Sequence, residues 1–154
     1  MKFELRSSED TLKTAERLGR LLGPGDVIGL IGSLGAGKTM FVKGLGLGVG
    51  IDPAFEVTSP TFVYAHIYEG KIPLHHLDLY RIENEKHLAE TGIEEMLGRE
   101  GVAAIEWFDL FPRIWTGDRL EIRFEMTGED DRRIWVEGFG DRGRSLLERW
   151  STGK

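Results

Sequence analysis

Val27-Ile28-Gly29-Leu30-Ile31-Gly32-Ser33-Leu34-Gly35-Ala36-Gly37-Lys38-Thr39 decides the reading of this chain. Its first five residues make a short apolar run, the pattern of a strand covered on both faces. The next eight fit G-x-x-x-x-G-K-[ST]. From the fractions of Gly, Lys and Ser/Thr in this chain, such a match arises by chance on the order of one time in a hundred. A strand before it and a helix after it are the setting its chemistry demands. Successive backbone N–H groups of a glycine loop cradle phosphate oxygens. The following helix adds the positive end of its dipole. Lys38 supplies a mobile charge for the β- and γ-phosphates, and the Thr39 hydroxyl can ligate Mg²⁺. The bland alternative is a glycine turn before an ordinary helix, with Lys38 a solvated charge.

Around this loop, ten of the 21 glycines fall between Gly23 and Gly50. A flexible linker would not carry the apolar Val27–Ile31 run inside that window. The chain has 154 residues, a length that suits one domain over 1–154. It has no cysteine, which excludes disulfides, thiolate metal sites and cysteine nucleophiles. The net charge of −6 argues against a dedicated nucleic-acid binder. Met1–Arg6 lacks the apolar core of a signal peptide, and no apolar run approaches the roughly 18 residues of a membrane span. A cytoplasmic location is the expectation.

The remaining elements follow from spacing. Leu12, Ala15, Leu18 and Leu22 have helical periodicity, Ser7 with Asp10 resembles a capping box, and Gly23-Pro24-Gly25 ends the helix. The helix from Lys38 should be short or soft, because each interior glycine of Gly44–Gly50 costs about 1 kcal/mol against alanine. Strands are expected at Phe62–Tyr68, Ile72–Leu79, Val102–Ile105, Arg119–Met126 and Arg133–Val136, with a hairpin turn at Gly128–Asp131. A helix starting near Glu83 should close over Ile93–Leu97. Asp141 should cap a final helix carrying Leu146, Leu147 and Trp150. The order predicts a three-layer α/β domain like the P-loop NTPases, with a mixed, mostly parallel central sheet.

In an open sheet of this kind, ligands sit beyond the carboxyl ends of the strands. Asp78 and Glu106 each end an apolar strand, so both can converge with the loop. Either acid can hold a metal directly, hold it through water, or orient an attacking water. Of the two, Asp78 better suits the metal and Glu106 the water. In Thr58-Ser59-Pro60-Thr61, Pro60 stiffens a segment whose hydroxyls, Thr61 included, can face a γ-phosphate or its Mg²⁺. A plain turn into a strand explains it equally. His75 and His76 are adjacent, so they face opposite sides of a strand and cannot chelate one metal. Structural roles are expected for all four histidines and for Trp115, Trp135 and Trp150. From Arg113 onward, nine basic and nine acidic residues intersperse, as on a solvated mixed surface.

Taken in order, Leu34-Gly35-Ala36-Gly37-Lys38-Thr39, Val57-Thr58-Ser59-Pro60-Thr61-Phe62, His76-Leu77-Asp78-Leu79-Tyr80-Arg81 and Ile105-Glu106-Trp107 resemble the TsaE family, a group of small P-loop ATPases of bacterial tRNA threonylcarbamoyladenosine synthesis. The match runs from about Ser8 to Trp107. Ser33 stands where the family often has Asp, and Phe108 where it often has Pro. The resemblance implies an ATPase working with the TsaD and TsaB proteins, contacting tRNA only through that complex. It implies that Lys38, Asp78 and Glu106 are catalytic, with Mg²⁺ at Thr39, Glu106 and Asp78. ATP would meet Ser33, Leu34, Gly35, Ala36, Gly37, Lys38, Thr39, Met40, Thr61 and Trp107.

The main rival from the residues alone is a small P-loop metabolite kinase. Such enzymes usually add an arginine-rich lid, and no compact arginine run occurs here, since Arg132-Arg133 lies among acids. The other rival is a nucleotide-dependent interaction module that does not hydrolyse, which could lose Glu106 without consequence. No N-K-x-D guanine signature follows Glu106, which points to ATP.

Overall fold

The computed structural model describes residues 1–60 and 63–153. Seven strands form one sheet in the order β1-β7-β6-β2-β5-β4-β3. They are β1 (Lys2–Leu5), β2 (Val27–Ile31), β3 (Ala65–Tyr68), β4 (Leu74–Asp78), β5 (Val102–Glu106), β6 (Arg119–Met126) and β7 (Arg132–Phe139). The block β4, β5, β2, β6 is parallel. β7 runs antiparallel to β6, β1 to β7, and β3 to β4. The sheet is therefore mixed and mostly parallel.

Alternation along the strands divides the core in two. Ile28 and Leu30 of β2 and Ala104 of β5 join the packing of α1 (Ser8–Gly19), α2 (Lys38–Gly48) and α4 (Gly140–Thr152). Val27 and Ile31 face the other way, with Leu77, Ile105, Leu88 of α3 (Glu85–Thr91) and Phe108. Gly29 lies beneath Phe108: a Cβ there would come 2.7 Å from the ring. Helices on one face, the sheet, and short helical segments on the other make the three expected layers.

Four local expectations are corrected. α2 runs eleven residues through Gly44 and Gly46 to Gly48. A Cβ on Gly44 would stand 2.5 Å from the Leu12 carbonyl oxygen, and one on Gly48 2.5 Å from that of Glu16. These glycines let α2 lie directly on α1, and that packing offsets their poor helix propensity. The helix after Glu83 is broken: α3 ends at Gly92, in the left-handed region, and a 3-10 turn Ile93–Met96 follows. Asp141 does not cap α4. The Arg142 amide instead donates to Asp118 Oδ2 at 3.0 Å, a cap from outside the helix. The strands expected at Phe62–Tyr68 and Ile72–Leu79 run Ala65–Tyr68 and Leu74–Asp78, with Phe62 outside the described residues. Ser7 does cap α1, accepting from the Asp10 amide at 3.0 Å. Among the described residues, no helix is long and apolar enough to cross a membrane.

Candidate functional site

The glycine loop turns out of β2 and into α2 through positive φ at Gly32, Gly35 and Gly37. Gly37, at φ 102°, is the N-cap of α2, and no side chain caps that turn among the described residues. The first-turn amides of α2 therefore point into open space with the helix dipole behind them. Aiming amides inward turns loop carbonyls outward. Arg132, from the start of β7, takes up two of these: Nε donates to the Ala36 oxygen and Nη2 to that of Gly35, each at 3.2 Å.

Lys38 folds back over the loop and donates to the Gly32 carbonyl. Its Nζ sits 3.6 Å from the centre of the Trp107 ring. Only 4% of Lys38 is exposed. Burial pushes its ammonium pKa below the ordinary value, against the opposing pull of Glu106, Asp78 and Asp109. Trp107 adopts a left-handed φ of 60° directly after β5. That turn lays its ring beside Tyr80, with centroids 4.8 Å apart.

The two acids are register partners: Asp78 of β4 lies opposite Glu106 of β5. β5 adjoins the loop strand and β4 is one further out. The hydroxyls follow that order. Thr39 Oγ1 donates to Glu106 Oε2 at 3.1 Å. Ser59 Oγ donates to Asp78 Oδ2 at 2.8 Å, and the Tyr80 amide to Asp78 Oδ1 at 2.8 Å. Both acids are buried. His76 Nε2 also meets Glu106 Oε2, at 2.5 Å.

Lys38, Thr39, Ser59, Asp78, Tyr80, Glu106 and Trp107 face one cleft of about 610 Å³, with His76 buried behind it. Of the residues expected from sequence, Leu34, Gly35, Gly37, Lys38, Thr39, Met40, Asp78, Glu106 and Trp107 line it. Ser33 is exposed on the loop, and Ala36 is buried in the core behind it. Thr61 lies outside the described residues, while its neighbour Ser59 reaches the cleft. Tyr80, Arg81 and Arg132 line it too. Arg132 carried no sequence signal, because it is 96 positions from Ala36. His76, expected to be structural, contacts Glu106, a partner 30 positions away that sequence spacing does not reveal.

A mixed, mostly parallel sheet whose inner strand feeds a glycine loop and a helix, with acids ending the next two strands on one side, is the architecture of the P-loop class. The family model described as "Threonylcarbamoyl adenosine biosynthesis protein TsaE" matches residues 5–134. The chain is 37% identical to the tRNA threonylcarbamoyladenosine biosynthesis protein TsaE of Bacillus subtilis over 152 residues, covering 98% of this chain and 94% of that one. It is 44% identical to the TsaE of Treponema pallidum over 136 residues, covering 88% and 99%. The solved structure of Bacillus subtilis YdiB superposes with a TM-score of 0.84 at 33% identity, covering 99% of this chain and 94% of that one. The chain belongs to the TsaE family, which acts in tRNA threonylcarbamoyladenosine biosynthesis.

Proposed function

We propose that this chain binds ATP with Mg²⁺ in the cleft and hydrolyses it to support tRNA threonylcarbamoyladenosine formation by TsaD and TsaB. The observation carrying this reading is the Thr39–Glu106 pair beneath the uncapped start of α2. The donor set fits the cofactor. Loop and first-turn amides with Lys38 suit a polyphosphate. A hydroxyl has one proton and two lone pairs, so Thr39 can ligate a cation while still donating to Glu106. Thr39 and Glu106 are the residues that would hold Mg²⁺, which when bound neutralises charge developing on the transferred phosphoryl group.

In this reading Glu106, which the Thr39 hydroxyl reaches, is the metal-side acid in place of the Asp78 favoured from sequence, and Asp78 orders the segment around Ser59. Lys38 must leave the Gly32 carbonyl and the Trp107 face to meet phosphate. Trp107 and Tyr80 wall the cleft on that side, and Arg132 holds the loop open. The chain works in the cytoplasm and meets tRNA through its partners rather than gripping it.

The test is phosphate release from Mg·ATP, with and without a TsaB–TsaD complex, for wild type and Glu106→Ala. Weak release by the isolated chain, stimulation by the partners, and loss of roughly 10²–10⁴-fold in the variant are expected. Transfer of phosphate to a sugar or nucleoside acceptor would establish a metabolite kinase instead.

A further inference from the structure

His76 is a buried polar side chain to which the proposed hydrolysis gives no part. It precedes Asp78 by two residues on β4, so both side chains project from the same face of the sheet. The ring is fully buried, and Nε2 lies 2.5 Å from Glu106 Oε2. Nδ1 has no hydrogen-bond partner among the described residues. Burying a polar atom unpaired is costly, so a packing role alone would favour an apolar side chain here. His75 shows the contrast: it faces the other way, and its Nδ1 reaches the Met96 carbonyl at 3.2 Å.

Glu106 Oε2 is thus held from two directions, by Thr39 on α2 and by His76 on β4. An ionised carboxylate only accepts, so Nε2 is the donor. Thr39 belongs to the helix that meets the nucleotide, whereas His76 belongs to the rigid sheet. We infer that His76 is a positioning residue: it fixes the Glu106 carboxylate at the orientation hydrolysis requires and touches neither nucleotide nor cation. This rests on the ATPase reading of the cleft, although the hydrogen bond itself is present in the nucleotide-free protein.

The discriminating pair is His76→Gln and His76→Asn. Both put a neutral amide in the same buried space. Glutamine presents its NH₂ near the place of Nε2, and asparagine stops short of Glu106. A merely structural histidine would make the two variants alike. The expected result is that His76→Asn lowers kcat for partner-stimulated phosphate release by about 10–100-fold. Nucleotide Kd should stay within about threefold in both variants, and His76→Gln should keep kcat within the same margin of wild type. In nucleotide-free, ¹⁵N-histidine-labelled protein, a slowly exchanging Nε2–H resonance should be present and should move in Glu106→Gln. Equal kcat in the two variants, whether both normal or both reduced, overturns the inference, as does absence of that resonance. No phosphate release from wild type overturns the ATPase reading instead.

Discussion

Between Gly32 and Gly37 the backbone passes through positive φ at three glycines, and nothing crowds the last two: a Cβ on Gly35 would meet no atom within 4 Å. Between Gly44 and Gly48 the backbone is plain helix, and a Cβ on either glycine would run into the backbone of α1. One glycine-rich window thus holds two opposite uses of the residue. In the loop, glycine supplies conformation and leaves room for a ligand. In the helix it supplies only the absence of a side chain, so two helices can touch. Substitution separates the uses, because strain in the loop should weaken binding while crowding in the helix should weaken the fold.

Gly44→Val should have the largest effect. Its side chain meets the Leu12 carbonyl and the Ala15 methyl, neither of which can swing away. Overpacking against backbone costs about 3 kcal/mol, which lowers Tm by roughly 10 °C in a protein of this size. Nucleotide affinity of the molecules that remain folded should be unchanged. A normal Tm would mean that α1 and α2 separate easily, and the contrast between the two regions would fail.

Lys38→Ala tests the loop side. Mg·ATP should raise the Tm of wild type by mass action. Loss of a charge-assisted contact worth about 1.5–3 kcal/mol weakens binding by roughly 10–150-fold and removes the rise at moderate nucleotide concentration. Persistence of the rise would move ATP away from this cleft. Gly37→Ala should come next. There is room for the methyl, the nearest atom being Arg132 Nε at 4.0 Å, but φ of 102° strains any L-residue. A cost of about 1–2 kcal/mol should appear as weaker nucleotide binding together with a fall in Tm of a few degrees.

The parts legible in the sequence are those encoded locally. Val27–Ile31 and Val102–Ile105 read as buried strands because both faces are apolar, and Asp78 and Glu106 stand out because each closes an apolar run. Their adjacency follows from β4 pairing with β5, which strand-end logic anticipates. What stayed hidden depends on contacts between distant segments. Propensity counts Gly44 and Gly48 against a helix, since the compensating surface of α1 lies elsewhere in the chain. Asp141 has the composition of a cap, yet Asp118 performs the task from a turn that only tertiary folding brings near. Gly92 ends α3 although the apolar spacing continues to Leu97, because periodicity does not register a single left-handed residue. His76 reads as a structural histidine, and its contact with Glu106 leaves no local signal because that partner lies 30 positions away.

Arg132 offers the finest separation of the two glycine uses, since it acts on the loop from outside. Its guanidinium ties the carbonyls of Gly35 and Ala36 to those of the β6–β7 turn, where Nη1 donates to Gly128, Glu129 and Asp131. The side chain joins an exposed turn to the loop's outer rim, so truncation should cost little global stability. Without it, the two loop carbonyls lose the group that keeps them turned outward, and the amides lose part of their preorganisation. Arg132→Gln should weaken Mg·ATP binding by about 3–10-fold, near 1 kcal/mol for a net hydrogen bond of this kind. Arg132→Lys should behave the same way, because one ammonium cannot span both carbonyls. The measurement is calorimetric Kd for both variants, with Tm as the control for folding. If Kd holds while Tm drops, Arg132 braces the hairpin rather than the loop, and the loop keeps its shape through its glycines alone.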